Sequence, residues 1–358
     1  MRCKFSFRFQ NEPIRTVEKD SLVLWKFEVM LYDNHNRPIN YLRLAVTDRC
    51  NLRCFYCMPE EGIDYLPKRE LLTYEEMERV VRLFVGLGID KVRITGGEPF
   101  VRKGMVEFLE RLSGIKGLKK LNITTNGTVT AKLVPFLKSI GIHSVNLSLD
   151  SLDELRFFEI TRRDSFRDVW RTFEQLLFHE IPVKINAVVM NGRNIEDIVP
   201  LVELTRHLPV DVRFIEEMPF NGSGTNGNAP AWDYPAILSY LQHHYPAIEK
   251  VPDPRHSTSF NYHIPGHLGS VGIIAAYSRL FCGTCNRIRL TPQGMLKTCL
   301  YDDGVFNLKN LIRAGATDTQ LAAALLDALG NRARDGHEAE SRRYSGLPVS
   351  ESMATIGG

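Results

Sequence analysis

The sequence predicts an α/β fold built around a parallel β-sheet, and two features of the chain support this prediction. Short β-rich runs recur and end at Val46, Thr95, Thr125, Leu149, Val189 and Ile215. Helical patterns of apolar residues separate these runs. Because strand and helix alternate about six times, the pattern is typical of a parallel sheet with crossover helices. The periodicity alone leaves a partial barrel, a complete barrel and an open sheet as alternatives.

Two of the helices have clear sequence signals. The first starts at Thr73, and Glu76 three residues later completes a capping box. Its apolar residues recur at helical spacing until Gly88, which predicts the stop. The second helix follows Asn194 and has an apolar face that begins at Ile198.

Length, charge and hydropathy limit the class of protein. The 358 residues are enough for one large and one smaller domain. The net charge of +3 is too small to predict nucleic-acid binding by bulk electrostatics. No apolar run approaches the roughly 18 to 20 residues of a membrane-spanning helix, and the N-terminus lacks the apolar core of a secretory signal. We therefore expect a cytoplasmic protein with no nucleic-acid or membrane partner.

The chain divides into three predicted parts. Residues 1–30 form an irregular extension, which we favour over a transit peptide. Residues 31–220 carry the strand–helix repeats, and a Gly/Asn-rich linker follows at residues 221–229. Residues 230–358 form a smaller C-terminal region, whose charged and polar tail starts at Arg332 and ends in two glycines.

The cysteines carry the clearest chemical signal. There are seven, and six of them fall into two groups of three. These groups are Cys50, Cys54 and Cys57, and Cys282, Cys285 and Cys299. An odd and clustered set argues against a disulfide framework and for metal ligands in a reducing compartment. A four-iron cluster held by only three thiolates keeps one iron open for chemistry.

Other metal sites fit these groups less well. Structural zinc needs four closed ligands, and the first group has no fourth cysteine or histidine nearby. The second group would need His263 or His267 as a fourth ligand. A ferredoxin-type electron carrier needs a fourth cysteine for each cluster.

The first cysteine group resembles a known signature. C-x3-C-x2-C, with Tyr56 before the last cysteine, resembles the motif of radical S-adenosylmethionine (SAM) enzymes. In that family SAM binds the open iron of a [4Fe-4S] cluster and is cleaved to a 5'-deoxyadenosyl radical. The resemblance implies a partial (β/α)6 TIM-like barrel of the radical SAM type with a smaller C-terminal iron–sulfur domain. Cysteines placed directly after the first barrel strand agree, since such folds carry active sites at the carboxyl ends of their strands.

The same resemblance assigns SAM contacts. Thr95 to Pro99 resembles the family's GGEP turn, in which Gly97 lies where the amino group of SAM binds. Tyr56, Ser148 and Met218 match further SAM contacts. Without the resemblance, Ser148 would more often be a strand-end hydrogen-bonding residue and Met218 a core residue.

The second cysteine group resembles a narrower family. The segment from Phe281 to Thr291 resembles the second cluster motif of the GTP 3',8-cyclases, which act first in molybdenum cofactor biosynthesis. The segments 213–216 and 266–272 and the final double glycine also match. The likeness covers roughly residues 31 to 313 and the last few residues, and it implies two [4Fe-4S] clusters with SAM as cofactor.

The cyclase resemblance also assigns GTP contacts. They are Arg43, Arg93, Thr124, Lys184, Arg287 and Arg289. A single arginine is more often a solvated surface charge, but Arg and Lys pair well with a triphosphate. Arg287 and Arg289 are two residues apart, so both point to one side of an extended segment. The resemblance gives these two arginines, Gly357 and Gly358 catalytic roles.

The implied reaction converts GTP into (8S)-3',8-cyclo-7,8-dihydroguanosine 5'-triphosphate. The deoxyadenosyl radical removes hydrogen from ribose C3', and the C3' radical attacks guanine C8. A low-potential electron donor and product hand-off to cyclic pyranopterin monophosphate synthase are implied, and a homodimer is compatible with the sequence. The rival readings are another radical SAM enzyme with an auxiliary cluster, such as a peptide maturase, and a metal-binding module without catalysis.

The sequence departs from the cyclase pattern at several places. Arg162 stands where the family usually has glycine, and Glu217 stands where an aromatic residue is expected. The segment 221–229 is unusually rich in glycine. We expect these departures to alter loop conformation and rate rather than the type of reaction.

Overall fold

The computed structural model describes residues 5–7, 15–17, 30–218, 230–343 and 352–356. In chain order the strands are β1 (Phe5–Phe7), β2 (Arg15–Val17), β3 (Leu31–Tyr32), β4 (Pro38–Ile39), β5 (Tyr41–Ala45), β6 (Lys91–Thr95), β7 (Lys120–Thr125), β8 (Ser144–Ser148), β9 (Val183–Val189), β10 (Asp211–Glu216), β11 (Glu249–Lys250), β12 (Ser259–His263), β13 (Ser270–Ile274), β14 (Arg287–Leu290), β15 (Met295–Lys297) and β16 (Phe306–Asn307).

The helices lie mostly between the strands of the barrel and at the C-terminal end. They are α1 (Tyr74–Gly86), α2 (Met105–Ser113), α3 (Val134–Ser139), α4 (Glu154–Thr161), α5 (Phe166–Phe178), α6 (Ile198–His207), α7 (Tyr234–His244), α8 (Leu308–Arg313), α9 (Asp318–Gly330), α10 (Gly336–Ser341) and α11 (Met353–Ile356). No helix among these described residues is long and apolar enough to cross a bilayer.

Six consecutive strands form the centre of the main sheet. Strands β5 to β10 lie side by side in chain order, and every neighbouring pair among them is parallel. Helices connect them, so the predicted α/β fold is confirmed. The observed strands end within one residue of the predicted positions, from Ala45 in β5 to Glu216 in β10.

The C-terminal region extends both edges of this sheet. Strand β13 pairs in parallel with β10, and β14 pairs in parallel with β5. The antiparallel strands β11, β12, β15 and β16 continue the sheet outward. In the described part of the chain β13 and β14 do not pair with each other, so the barrel stays open. The predicted boundary at residues 220–230 therefore separates two sequence segments that share one sheet.

The first predicted helix shows why the local sequence signals work. Thr73 accepts a hydrogen bond from the Glu76 backbone N–H, and Glu76 accepts one from the Thr73 N–H. This capping box satisfies two donors that the helix itself leaves unpaired. Met77 and Phe84 are buried on one face of α1, as the apolar spacing predicts. Strictly, the helix ends at Gly86, two residues before the predicted stop.

The alternation of side chains gives the sheet two chemically different faces. Leu42 and Leu44 of β5 are fully buried in the main core, where the crossover helices pack. Tyr41 and Arg43 alternate with them and point to the opposite side. We call this opposite side the lumen face, and it carries the polar residues of the barrel strands. The alternation thus places the arginines of the barrel inside it.

The N-terminal segment contributes two separate strand pairs. Strands β1 and β2 pair antiparallel, with Phe5 opposite Val17. The prediction of an irregular extension did not include this pair. Strands β3 and β4 form a second antiparallel pair with Leu31 opposite Ile39, and this pair leads directly into β5.

Candidate active site

The first cysteine group lies in a tight loop after β5. The Cys57 N–H donates to Cys54 O at 2.9 Å, and the Met58 N–H donates to the same oxygen at 3.1 Å. This turn places the thiols of Cys50, Cys54 and Cys57 in the lining of one cavity of about 220 Å³. The six described cysteines of the two groups are all free thiols.

The donor set of this loop fits an iron–sulfur cluster. Burial raises the pKa of Cys50 to about 11 and the pKa of Cys57 to about 12, and it raises the pKa of Cys54 well above its usual value. Neighbouring carboxylates and thiols add to this effect. Buried thiols of this kind become thiolates when a cationic metal centre takes their protons' place. Three such thiols around a cavity match a cluster with one open iron.

A chain of hydrogen bonds connects Cys50 to the buried Glu98 carboxyl through Asn126. Asn126 Nδ2 donates to Cys50 Sγ at 3.7 Å, and the Asn126 N–H donates to Glu98 Oε2 at 2.7 Å. Thr125 Oγ1 donates to Glu98 Oε1 at 2.8 Å. Burial raises the pKa of Glu98 to about 7, while these donors oppose the shift. The Glu98 carboxyl therefore fixes the strand ends around the cluster instead of facing solvent.

The two glycines after β6 allow two loops to touch. The Gly97 N–H donates to Thr47 O at 2.8 Å, and the Glu98 N–H donates to Arg49 O at 2.8 Å. A Cβ atom at Gly97 would lie 2.2 Å from Arg49 O, and one at Gly96 would lie 2.5 Å from Thr47 O. Only glycine fits such a backbone approach. The turn consequently presses against the residues that lead into the cysteine loop.

Replacing Gly97 with alanine should displace this loop. We expect a loss of about 3 kcal/mol or more in the free energy of unfolding, together with loss of iron from the first site. Iron analysis after anaerobic reconstitution and thermal unfolding would measure both effects. Gly330→Ala is the matched control, because a Cβ there meets no atom within 4 Å. Equal iron content in Gly97→Ala and the control would contradict the assigned packing role.

The predicted SAM contacts line the same cavity as the cysteines. Tyr56, Gly97, Ser148 and Met218 all contribute to its wall. The Tyr56 hydroxyl donates to Asp150 Oδ2 at 2.8 Å, which fixes the ring. The structure therefore brings the four residues together around the first cysteine group, and their contact with SAM remains a prediction.

The C-terminal tail reaches this cavity too. Ser352 Oγ donates to Cys57 O at 2.7 Å, and Met353 and Ala354 form part of the cavity wall. Ile356 is buried beside Tyr301 in a small apolar cluster. The chain thus runs past the cavity before its last two residues. Gly357 and Gly358, for which the resemblance implies a catalytic role, lie outside the described residues.

Arginines from three neighbouring strands meet on the lumen face. Arg43 of β5 lies in register between Arg93 of β6 and Arg289 of β14. Arg287 lies in register with Tyr41, two residues before the Arg289–Arg43 pair and on the same face of the sheet. Burial lowers the pKa of Arg43 to about 9, and Arg289 and Arg93 add to the decrease, but Arg43 stays cationic at neutral pH. Such a group of like charges favours an anionic ligand.

Tyr41 and Lys91 show the strength of this positive field. Burial alone would raise the pKa of Tyr41, but the nearby arginines and Lys91 lower it to about 7. Burial lowers the pKa of Lys91 to about 8, and Arg93 and Arg287 contribute. Lys91 Nζ lies 4.3 Å from the centre of the Tyr41 ring. A tyrosine that ionises near neutrality indicates a strongly positive surrounding.

The remaining predicted GTP contacts lie on the same face. Arg93 Nη1 donates to Thr124 Oγ1 at 3.4 Å, and Arg93 Nε donates to the Tyr41 hydroxyl at 2.7 Å. Lys184 forms an ion pair with Asp211 of the neighbouring strand. Lys184 thus has a protein partner in the structure, and its contact with GTP stays a prediction.

The second cysteine group lies next to these arginines. Cys282 and Cys285 precede β14, and the Cys285 N–H donates to Cys282 O at 3.1 Å. Cys299 follows β15, and its N–H donates to Asp302 Oδ2 at 2.8 Å. Burial would raise the pKa of Cys285, but Arg332 and Arg287 lower it to about 7. A thiol held near a cation in this way is a ready metal ligand, so three thiols again fit a cluster with an open iron.

The histidines that a zinc site at the second cysteine group would need have other neighbours. His267 Nδ1 shares a hydrogen bond of 2.8 Å with Thr205 Oγ1, and His263 lies in β12 opposite Glu249. Within the described ranges, no three His, Cys, Asp or Glu side chains already converge as ligands of one metal ion, and this holds for both cysteine groups. The argument against zinc is therefore the ligand count, since each group offers three cysteines and structural zinc takes four closed ligands.

Comparison with known families agrees with this geometry. A sequence profile described as the radical SAM superfamily matches residues 44–205. A second profile, described as Molybdenum Cofactor Synthesis C, matches residues 210–338. The two matches meet near β10, and between them they contain both cysteine groups.

Curated relatives identify the narrower family. GTP 3',8-cyclase from Desulforamulus reducens is 41% identical over 332 residues, which cover 92% of this chain and all of that protein. The chain belongs to the GTP 3',8-cyclase family. The mitochondrial GTP 3',8-cyclase of Arabidopsis thaliana is 43% identical over 82% of this chain and 75% of its own length. Molybdenum cofactor biosynthesis protein 1 of Mus musculus is 42% identical over 86% of this chain but 48% of its own length, so the chain spans about half of that relative.

Solved structures support the fold alone. SuiB of Streptococcus suis, bound to its precursor peptide SuiA, has a TM-score of 0.58 and 17% identity, and the match covers 86% of this chain and 69% of SuiB. SuiB bound to S-adenosylmethionine has a TM-score of 0.54 and 16% identity, with coverage of 81% and 68%. Together with the superfamily profile over residues 44–205, this fold match confirms the predicted partial barrel of the radical SAM type. Radical SAM enzymes use SAM with a [4Fe-4S] cluster, and the GTP 3',8-cyclase family carries an additional cluster.

Arg162 is the departure from the cyclase family that the structure explains best. Its backbone is left-handed, with φ of 55°, which agrees with the glycine that the family usually has there. Its side chain donates from Nη1 to Arg53 O at 3.2 Å and to Met58 O at 3.4 Å. The Arg53 N–H donates to Thr161 O at 2.9 Å. Arg162 therefore adds side-chain contacts to a turn that already holds the cysteine loop.

The other departures are explained only in part. Burial raises the pKa of Glu217, while Arg193 opposes the shift. Arg193 also lies over the Phe55 ring at 4.9 Å. An acid thus stands beside a cation in place of the expected aromatic residue. The glycine-rich segment 221–229 lies outside the described residues.

Sequence reasoning missed several polar residues of the lumen face. Lys91 and Tyr41 stand two residues before Arg93 and Arg43, so strand alternation could have found them. Arg213, inside a segment that resembles the family, lies in register with Asn186 of the next strand. In the described part of the chain, Arg213 Nε, Asn146 Oδ1 and Asn186 Oδ1 are buried without a hydrogen-bond partner. Buried polar atoms normally have partners, so these three are candidates for ligand contacts.

Proposed function

We propose that this chain is a GTP 3',8-cyclase that binds SAM at the first cysteine group and GTP at the second. The observation that supports this most is the row of arginines that links the two groups. Arg43 lines the cavity of Cys50, Cys54 and Cys57. Its neighbour Arg289 lies in the electrostatic field of Cys285 and Cys299. A polyanionic substrate held by this row would lie between both clusters.

GTP fits the positive charge of this row. Its triphosphate can accept charge-assisted hydrogen bonds from several guanidinium groups at once. Arg93 and Thr124 offer donors deeper in the barrel, and Arg287 and Arg289 offer them beside the second cysteine group. The guanine end would then meet the open iron near Cys285, as the family resemblance implies.

The chain's contribution is to position substrate and to exclude water. SAM bound at the first cluster supplies the 5'-deoxyadenosyl radical when an external donor provides one electron. Ser148, Met218 and the Gly97 turn line the cavity beside the first cysteine group, together with Met353 and Ala354, and this shared lining supports the proposed SAM position. A reactive radical must be shielded from solvent and held close to its target hydrogen. The product is (8S)-3',8-cyclo-7,8-dihydroguanosine 5'-triphosphate.

A peptide maturase is the alternative radical SAM function. The likeness to SuiB shows only a shared fold and does not support a maturase function, since the identity is 17%. The cyclase relatives are 41% to 43% identical over most of this chain. A buried row of arginines also suits a polyphosphate better than a peptide backbone.

Several partners remain part of the proposal. The reaction requires a low-potential electron donor, and the cyclised nucleotide would pass to a cyclic pyranopterin monophosphate synthase. We propose a cytoplasmic location, where reduced thiols and GTP are both available. The homodimer and the catalytic roles of Gly357 and Gly358 stay predictions.

Anaerobic reconstitution tests the proposal. About eight irons per chain are expected for two four-iron clusters. Addition of SAM, a strong reductant and GTP should form 5'-deoxyadenosine and consume GTP in step. Formation of 5'-deoxyadenosine without loss of GTP would contradict the cyclase assignment. Binding of about one zinc per chain and no iron would contradict any radical SAM function.

The affinity for GTP should fall as pH rises from about 7 to about 9. Without ligand, Tyr41 has a pKa of about 7 and Lys91 a pKa of about 8. A bound polyanion favours neutral tyrosine and charged lysine, so both pKa values rise and protons are taken up. Each group can weaken binding by up to about tenfold per pH unit above its free pKa. Calorimetric titration in buffers of different ionisation enthalpy would measure the affinity and the proton uptake.

The control for this prediction is the double variant Tyr41→Phe with Lys91→Met. It should flatten the pH profile between about pH 7 and about pH 9. An affinity that rises with pH in the parent protein, or a profile that the double variant leaves unchanged, would contradict the assignment.

A further inference from the structure

Three charged residues form a buried network behind the second cysteine group. Asp33, Arg37 and Arg332 are 6%, 7% and 3% exposed. Arg37 Nε lies 2.7 Å from Asp33 Oδ2, and Arg332 Nη1 lies 3.0 Å from the same oxygen. Burying charges is unfavourable unless every donor and acceptor is satisfied, so such a network calls for a specific role.

Arg332 directs its remaining donors at the second cysteine group. Its Nη2 donates to Cys285 Sγ at 3.2 Å, and its Nη1 donates to Cys285 O at 2.9 Å. Its Nε donates to Thr298 O at 3.0 Å, directly before Cys299. A third backbone acceptor, Arg287 O, lies 3.0 Å from Nη2. One side chain therefore joins two of the three cysteine segments and contacts a ligand sulfur.

Arg37 shares the carboxylate but not the sulfur. Its Nη1 donates to Cys282 O at 3.1 Å, and its Nη2 donates to Ala333 O at 2.9 Å. These contacts fix the backbone around Arg332 and Cys282. Two guanidinium groups against one carboxylate leave one positive charge in the network. Arg332 is the member of the pair that presents this charge to Cys285.

The two arginines come from opposite ends of the chain. Asp33 and Arg37 belong to the turn between β3 and β4, and Arg332 follows α9. The sequence assigned Arg332 to the start of a polar tail, whereas the structure buries it. The network thus connects the turn between β3 and β4 with the residues after α9, beside the second cysteine group.

We propose that Arg332 is a positioning residue for the auxiliary cluster that also sets its reduction potential. This inference rests on the proposed function, in which Cys282, Cys285 and Cys299 hold an iron–sulfur cluster. Hydrogen bonds to ligand sulfurs and nearby positive charge stabilise the reduced, more negative state of such a cluster. Arg332 therefore raises the reduction potential of the auxiliary cluster above the value that its other surroundings would give.

The test compares Arg332→Gln with Arg37→Gln in the whole 358-residue chain. Both changes remove one ion pair with Asp33, but Arg332→Gln alone removes the contact with Cys285 Sγ. The parent for this series is the triple variant Cys50→Ala, Cys54→Ala and Cys57→Ala, so that only the auxiliary cluster gives a signal. Iron content, and potentiometric titration followed by electron paramagnetic resonance, are the readouts.

Arg332→Gln should shift the auxiliary-cluster potential to more negative values, and Arg332→Lys should shift it less because the charge is kept. Arg37→Gln should leave the potential unchanged. If Arg332→Gln loses the cluster iron, its potential cannot be measured. In that case the proposal is supported when Arg37→Gln keeps the cluster iron and Arg332→Lys shows a more negative potential than the parent. Equal shifts or equal iron loss in Arg37→Gln and Arg332→Gln would overturn it, as would an unmoved potential in both Arg332 variants.

Failure of the proposed function gives a different result. If the parent protein gives no auxiliary-cluster signal, the assignment of a second cluster is wrong, and this inference fails with it. A normal parent signal that the Arg332 variants do not move would remove the inference alone.

Discussion

Replacement of Cys54 by alanine is expected to abolish SAM cleavage. Cys54 lies in the middle of the loop, and its backbone oxygen accepts from both Cys57 and Met58. Loss of one of three thiolate ligands should release the first cluster, so iron should fall from about eight to about four per chain. No 5'-deoxyadenosine should form, since SAM has no open iron to bind. Iron analysis and chromatography of the reaction mixture would measure both.

Two other cysteine variants serve as controls. Cys285→Ala should also lose about four irons but should keep a first cluster that cleaves SAM. Cys3→Ala should change neither the iron content nor turnover, because Cys3 belongs to neither group. Retained SAM cleavage in Cys54→Ala would contradict the assignment of the first group.

Replacing Arg287 and Arg289 together with alanine should weaken GTP binding by a factor of about 10² to 10⁴. Each charge-assisted hydrogen bond contributes about 1.5 to 3 kcal/mol, and two would be lost. Arg289 lies in register with Arg43, and Arg287 lies 5.8 Å from the Tyr41 ring, so both belong to the positive field of the lumen face. Equilibrium binding of GTP to the reconstituted protein would measure the loss.

A charge-matched control separates this local effect from net charge. Arg167→Ala with Arg171→Ala also removes two positive charges, from the exposed ion pairs of Arg167 with Glu154 and of Arg171 with Asp168. This control should bind GTP like the parent protein, because exposed pairs contribute little and distant charges are screened. Unchanged GTP affinity in the Arg287 and Arg289 variant, or equal weakening in the control, would contradict the assigned contacts.

Local signals made the barrel predictable. The capping box at Thr73 and the regular alternation of strand and helix depend on residues close together in sequence. The strand ends at Thr95, Thr125 and Val189 were predicted to the residue. Because the carboxyl ends of parallel strands meet at one edge, the first cysteine group and the Gly97 turn could be expected to lie together.

Long-range pairing made the rest unpredictable. Nothing in the sequence near β13 or β14 indicates that they pair with opposite edges of the same sheet. The network of Asp33, Arg37 and Arg332 joins residues almost three hundred positions apart. Arg332 in a charged stretch looks like a solvated cation, and only the fold shows that its donors meet Cys285 and Thr298.

The left-handed backbone of Arg162 is an intermediate case. The resemblance indicated that glycine is usual there, and glycine is the residue that tolerates a positive φ. That expectation predicted a special backbone but not the contacts of the arginine side chain with Arg53 and Met58. A departure from a family pattern can thus preserve the conformation and add an interaction.

Isotope transfer from GTP tests the central claim most directly. The protein would be reconstituted without oxygen and given SAM, reductant and GTP carrying deuterium at ribose C3'. The proposed function predicts 5'-deoxyadenosine with one deuterium atom for each cyclised nucleotide formed. 5'-Deoxyadenosine without deuterium, in a reaction that consumes the labelled GTP, would contradict hydrogen removal from C3' and with it the cyclase mechanism.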